Sequence, residues 1–200
     1  DLLNILLPPD RISLKIGLYF GSFNPVHIGH MAIANYIVEY GDIDQLWFVV
    51  SPHNPHKKKD NLLNDFDRLE MMHLAIKNEH RFRVSDIEFR LSKPSYTIDT
   101  LTYLNEKFPS HRFSVIMGSD NLESLHRWKN HEQILENYEI LVYPRPGFVS
   151  SMVNHPNIRV VDAPRMEISS TFIRNGIRSG KDLRHFVPPG LWEYMEKMGF

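Results

Sequence analysis

An α/β fold, a parallel sheet covered by helices on both faces, is what this sequence predicts. Three observations carry the prediction. Apolar runs of six or seven residues, the pattern of strands buried on both faces, recur along the chain. Amphipathic stretches of helical period alternate with them. Several runs end in Gly, Ser, Asn or Asp, the residues that a tight strand-to-helix turn needs.

Taken in chain order, KIGLYF (15–20) is the first strand, followed by a polar turn and a helix from His30 to Glu39. QLWFVVS (45–51) is the second, followed by the long polar loop HNPHKKKDN (53–61) and a helix over Asp65–Asn78. KPSYTIDTL (93–101) leads into a helix over Thr97–Lys107. FSVIMG (113–118), the third strand, passes through Gly-Ser-Asp-Asn into a short helix over 121–126, which Asp120 is placed to cap. A helix over Asn130–Asn137 precedes the fourth strand, EILVYPR (139–145), and the fifth is NIRVVDA (157–163). ISSTFIRNGIRSG (168–180) begins a last helical pattern. Alternating strands and helices make βαβ units, so we expect a Rossmann-like, doubly wound parallel sheet in one domain over 15–200, with 1–14 as an N-terminal extension. Such sheets bind ligands beyond the carboxyl ends of the strands, where the strand order reverses. Polar residues at strand ends are therefore the candidates for function.

The composition narrows the function classes. At 200 residues the chain suits one well-packed domain, and 42% hydrophobic and 24% charged residues are ordinary for a globular protein. A formal net charge of −1 leaves no surplus of Lys and Arg for wrapping a polyanion, so nucleic acid is not an expected partner. The absence of cysteine excludes disulfides, thiolate metal sites and cysteine nucleophiles, and fits a reducing compartment, with the cytoplasm as the expected location. No apolar run approaches the roughly 18 residues that span a bilayer, so no membrane partner is expected. LLNILLPP, at the start, lacks a basic segment and is broken by Pro8 and Pro9, so it does not read as a signal peptide. The missing initiator Met points to residues before Asp1. The oligomeric state stays open, a homo-oligomer included.

The turn after the first strand is the most informative stretch. Gly21-Ser22-Phe23-Asn24-Pro25 leads to a helix start near Val26 or His27, which turns free backbone amides and the positive end of the helix dipole toward the strand-end crevice. His27 and His30 then lie at i and i+3 on the first turn, with Gly29 between them leaving room for a ligand. Each imidazole can donate a hydrogen bond when neutral and adds a positive charge when protonated, and either form suits a phosphate. Far along the chain, Ser169, Ser170 and Thr171 stand at the foot of a helix with Arg174 one turn in, which makes a second phosphate site. His53 and His56 lack the partners that a zinc site needs, since there is no HExxH and no cysteine; no metal ligand is assigned.

These residues resemble the nucleotidyltransferase superfamily. Gly21, Ser22, Phe23, Asn24, Pro25, His27, Gly29 and His30 look like its G[TS]F[DN]PxHxGH signature, and Ile168-Ser169-Ser170-Thr171 with Ile173-Arg174 resembles its ISSTxIR signature. The chain departs from many members in having Phe20 where they have a second glycine. The segments between, SPHNPHKKK, KPSYTIDTL, MGSDNLESLHRW and YPRPG, are as a set similar to the nicotinate-nucleotide adenylyltransferase family, from about Lys15 to Met198.

The resemblance implies transfer of the adenylyl group of ATP to nicotinate mononucleotide, giving deamido-NAD and pyrophosphate, with Mg²⁺ carried by the ATP phosphates. It implies His27, His30 and Arg174 as catalytic groups. Gly21, Ser22, Phe23, Gly118, Asp120, Ser169, Ser170, Thr171 and Arg174 would bind ATP. Asn24, Lys57, Tyr96, Thr97, Trp128 and Arg145 would bind the nicotinate nucleotide, with Trp128 stacking on the pyridine ring and Tyr96-Thr97 meeting its carboxylate. Three readings compete: a sister enzyme adenylating nicotinamide mononucleotide or phosphopantetheine or acting as a cytidylyltransferase, a nucleotide-binding module without catalysis, and a nucleic-acid-binding α/β domain, which lacks an extended basic surface.

Overall fold

The computed structural model describes residues 13–52, 62–148 and 151–200. All but two residues of the expected N-terminal extension lie outside that set. Six strands, β1 Lys15–Gly21, β2 Gln45–Val50, β3 Phe82–Ser85, β4 Arg112–Gly118, β5 Glu139–Tyr143 and β6 Ile158–Val160, form one sheet in the order β3-β2-β1-β4-β5-β6. Every neighbouring pair is parallel. The helices are α1 Ile28–Tyr40, α2 Asp65–Ala75, α3 Ile87–Arg90, α4 Thr97–Lys107, α5 Ser119–Ser124, α6 His131–Asn137, α7 Ser170–Arg178 and α8 Leu191–Met198.

Strand side chains alternate between two hydrophobic cores because successive Cβ atoms point to opposite faces. Tyr19, Leu46, Phe48, Val50, Ile116, Leu141 and Tyr143 face α1, α2, α7 and α8. Ile16, Leu18, Trp47, Val49, Val115, Met117, Ile140 and Val142 face α4, α5 and α6. A strand buried on both faces needs apolar residues at nearly every position, which is why these runs are continuous.

Register places the site. β1 pairs Gly21 with Val50 of β2 on one side and Tyr19 with Ile116 of β4 on the other. The chain leaves β1 toward β2 and leaves β4 toward β5, so the strand order reverses between these two central strands. The crevice opens where Gly21 and Gly118 end their strands.

The five anticipated strands form with small shifts at their ends; β5 stops at Tyr143, before Pro144, which has no N–H to donate. β3 was not anticipated: FRVS is four residues long, buries only Phe82 well and pairs at the sheet edge with β2 alone. α4 has the expected bounds, α1 begins two residues early and α2 ends three residues early. α5 spans 119–124 and not 121–126: Gly118 occupies its N-cap, so Asp120 lies inside the first turn and is not the cap. α8 is an unanticipated addition that closes the first core with Leu191, Trp192 and Met195.

Candidate active site

The turn after β1 is compressed. Phe23 takes φ 45, a left-handed conformation that costs a bulky residue about 1–3 kcal/mol. Its ring offsets that cost by burial, packing edge-on against Tyr19 at 5.7 Å, Phe48 at 5.5 Å and His30 at 5.1 Å. Asn24 is buried and its Oδ1 accepts from the Leu63 amide at 3.2 Å, so the side chain expected to meet the acceptor nucleotide also ties the next loop to the turn.

His27 is the N-cap of α1 and His30 its third helical residue, so the two rings stack with centroids 3.7 Å apart and planes 27° apart. The His27 amide donates to His30 Nδ1 at 3.2 Å. An accepting Nδ1 leaves the proton of the neutral ring on Nε2, so His30 has one N–H to offer a ligand. Burial, and then the positive charge of Arg145, lower the His27 pKa to about 4. Burial, the neighbouring His27 and Arg145 hold His30 well below its usual range. Both imidazoles are therefore neutral donors at pH 7 in the free protein, and only the neutral form of the two considered from sequence is populated. Gly29 also has a different use: an added Cβ would lie 2.9 Å from His27 Nδ1, so its missing side chain makes room for the imidazole itself.

The second signature docks on the first. Ser169 caps α7, its hydroxyl accepting from the Phe172 amide at 3.1 Å. Ser170 Oγ donates to the Pro25 carbonyl at 2.9 Å. Arg174 Nη1 donates to the Asn24 carbonyl at 2.7 Å and its Nη2 to Thr171 Oγ1 at 3.1 Å. Residues about 145 positions apart in sequence thus share one polar cluster, with the start of α7 beside the start of α1.

The β4 end supplies the third part. An added Cβ on Gly118 would lie 2.3 Å from Asp120 Oδ1, so the missing side chain leaves room for the carboxylate in the position it takes. Arg145 Nε stands 3.9 Å from that oxygen, its backbone amide donates to Ser119 Oγ at 2.8 Å, and its guanidinium lies over the Tyr143 ring. Behind it the Tyr19 hydroxyl donates to the Tyr143 hydroxyl at 3.1 Å in the core. The positive charge of Arg145 reaches both histidines, contributing after burial to the lowering of their pKa values. His27 Nδ1, Asp120 Oδ1, Arg145 Nε and Arg174 Nε are buried without a hydrogen-bond partner among the described residues. Such groups are costly to leave unmade, and their concentration in one crevice marks a place built for polar ligands.

The acceptor side is looser. Tyr96 is the exposed N-cap of α4, and Thr97 is its first residue. Trp128 is half-buried against the second core, at the end of the 3₁₀ turn Leu125–Arg127. The two segments meet through Lys129, whose Nζ donates to both Asp99 carboxylate oxygens at 2.9 Å and lies 4.8 Å from the Tyr96 ring centroid. Lys57, with His53 and His56, lies outside the described residues.

Sequence reasoning missed the residues that hold this crevice together. Arg68 of α2 is fully buried and donates through Nη1 to the Ser22 and Ser51 carbonyls, both at 2.7 Å, through Nε to the Leu63 carbonyl at 3.1 Å and through Nη2 to Asp65 at 2.5 Å. It joins the β1 turn to the end of β2. Glu88 of α3 is buried, which pushes its carboxyl pKa up, and accepts from Thr100 Oγ1 at 3.1 Å and Ser95 Oγ at 3.4 Å, fixing the turn before α4. An Arg or Glu in an amphipathic stretch reads as a surface charge, so nothing in the pattern marked either one.

Among the described residues no three His, Asp or Glu side chains gather as a metal cage, and no helix is long and apolar enough to cross a membrane.

Residues 18–176 match the cytidylyltransferase-like family. A probable nicotinate-nucleotide adenylyltransferase of Flavobacterium johnsoniae is 54% identical over 190 residues, 94% of this chain and 98% of the relative. A second, from Bacteroides thetaiotaomicron, is 48% identical over 185 residues, 92% of each chain. The Plasmodium falciparum nicotinic acid mononucleotide adenylyltransferase complexed with NaAD superposes with a TM-score of 0.79 over 94% of this chain and 97% of its own, and at 20% identity it shares the fold. Two polar signatures joined at a reversed strand order, together with relatives of this identity and coverage, establish that the chain is a nucleotidyltransferase enzyme of the cytidylyltransferase-like family and belongs to the nicotinate-nucleotide adenylyltransferases.

Proposed function

We propose that the crevice transfers the adenylyl group of ATP to nicotinate mononucleotide in the cytoplasm, with the residue roles given above. The observation that carries the reading is the joining of the two signatures, Arg174 to the Asn24 carbonyl and Ser170 to the Pro25 carbonyl. A phosphate oxygen of the acceptor attacks the α-phosphorus of ATP. The bond from that phosphorus to the bridging oxygen breaks, and pyrophosphate leaves with the electron pair. The nucleophile is already anionic and needs no base, so the protein's contribution is positioning and charge stabilisation.

In this reading His27 and His30 donate neutral hydrogen bonds to the triphosphate, and approach of the phosphates raises their pKa values as the charge on the leaving oxygens grows. Arg174 contributes a permanent positive charge beside them. Asp120 accepts from ribose hydroxyls. Arg145 meets the acceptor phosphate, the group to which the resemblance also assigns Lys57. Mg²⁺ arrives bound to the ATP phosphates as part of the substrate, which agrees with a crevice whose polar groups are mainly donors. Tyr96, Thr97 and Trp128 hold the pyridine acid.

Pyrophosphate release with ATP and Mg²⁺, measured in parallel with nicotinate mononucleotide, nicotinamide mononucleotide and phosphopantetheine, tests the reading. Strong preference for the nicotinate acceptor is expected. Preference for another acceptor overturns the assignment of Tyr96, Thr97 and Trp128 and leaves the phosphate side intact; no release with any acceptor contradicts the catalytic roles.

A further inference from the structure

We propose that Lys129 tunes the choice between a carboxylate and a carboxamide on the acceptor's pyridine ring by neutralising Asp99 in the first turn of α4. The proposal rests on the reading of Tyr96, Thr97 and Trp128 as the pyridine site.

The charge pattern at this end of the crevice is unusual for a site meant to receive an acid. Asp99 stands in the first turn of α4, its backbone amide donating to the carbonyl of the N-cap Tyr96 at 3.0 Å, so its carboxylate belongs to the same helix start as Tyr96-Thr97. An unpaired carboxylate there repels a substrate carboxylate held by Tyr96-Thr97 and leaves a neutral carboxamide untouched. Lys129 removes that repulsion. Its ammonium bonds both carboxylate oxygens of Asp99 at 2.9 Å and sits over the Tyr96 ring at 4.8 Å from the centroid. The adjoining cation on this segment, Arg127, has its Nε bonded to His126 at 3.3 Å.

Both partners of the pair are close to half exposed, at 43% and 44% of the side-chain surface. A pair so placed adds little to stability. Its effect is on the local field, and solvent keeps that effect modest and sensitive to salt. Position 129 follows Trp128 directly, so the segment that carries the ring's stacking partner also carries the charge that sets which ring substituent is welcome.

The two charges make opposite predictions, which a merely structural clasp would not. The measurement is kcat/KM for nicotinate mononucleotide and for nicotinamide mononucleotide, with KM for ATP, in wild type, Lys129→Met, Asp99→Asn, the double variant and Lys129→Arg. Lys129→Met is expected to lower the acid-over-amide ratio about three- to tenfold with KM for ATP unchanged, and Asp99→Asn to raise it by a similar factor. The double variant is expected to return close to wild type, Lys129→Arg to retain the ratio, and 1 M salt to shrink both single shifts. Single variants that move the ratio in the same direction, or that weaken both acceptors equally, overturn the proposal. A wild-type protein that does not use nicotinate mononucleotide overturns the acceptor reading itself; a selective wild type whose ratio is unchanged in both single variants overturns the role of Lys129 alone.

Discussion

Around the β1 turn, the polar groups of the crevice are tied to distant parts of the chain: Arg174 to Asn24, Ser170 to Pro25, and Arg68 to Ser22 and Ser51. At the start of α4 Tyr96 is exposed and Thr97 only partly buried, and an ion pair between partly exposed side chains joins the Tyr96 and Trp128 segments. The first region buries His27, partly buries His30 against aromatic rings and holds both neutral; the second leaves its aromatic and hydroxyl groups half in water. The difference suits the two halves of the proposed reaction. A group developing charge in the transition state gains most from donors fixed beforehand in a low-dielectric site. Choice between two rings that differ by one substituent needs only a few contacts of modest strength.

The contrast can be broken most severely at Arg68. Replacing it by Met leaves the Ser22, Ser51 and Leu63 carbonyls without that donor and Asp65 without its cation, and is expected to cost about 3–5 kcal/mol, read from the denaturation midpoint. Unchanged stability would show that the β1 turn does not depend on this guanidinium. His30→Ala comes next: turnover is expected to fall about 10²- to 10³-fold with the circular dichroism spectrum retained. Near-normal turnover would remove His30 from the chemistry.

Acid sharpens the comparison from the same side. The His27 pKa is lowered to about 4, so the unfolded chain binds more protons than the folded one between that value and its usual 6.5. Stability contributed through His27 is therefore flat above about pH 6.5 and declines as the pH falls toward 4, by about 3 kcal/mol in all. The decline is expected to be shallower by about that amount in His27→Gln, where His30 still contributes, measured as the difference between the two proteins' denaturation curves across that window; identical slopes would contradict the burial of a neutral imidazole at position 27. The smallest effect belongs to the acceptor side, where Trp128→Ala is expected to raise KM for the nicotinate nucleotide by roughly 1–3 kcal/mol of lost stacking, with KM for ATP unchanged. Equal effects on both substrates would remove the distinction between the walls.

Legibility followed the same division. Continuous apolar runs and the two signatures were readable because burial on both faces and phosphate binding at helix starts each impose a dense local pattern. β3 escaped because an edge strand of four residues with one well-buried side chain carries almost no pattern. Asp120 was misplaced as a cap because a glycine N-cap leaves no side-chain mark. Arg68 and Glu88 were silent for a different reason: their partners are backbone carbonyls and hydroxyls from other segments, and a sequence shows no such pairing until the fold assembles it. Gly29 was legible as a place of close approach, but what approaches in the folded chain is the protein's own imidazole.

The most direct test of the two-walled crevice is a full set of kcat and both Michaelis constants for His30→Ala and Trp128→Ala beside wild type. The account predicts a crossed result, with His30→Ala losing kcat at nearly unchanged Michaelis constants and Trp128→Ala losing affinity for the nicotinate nucleotide at nearly unchanged kcat. Both variants losing kcat and both affinities together would contradict it, and would mean that the two walls act as one.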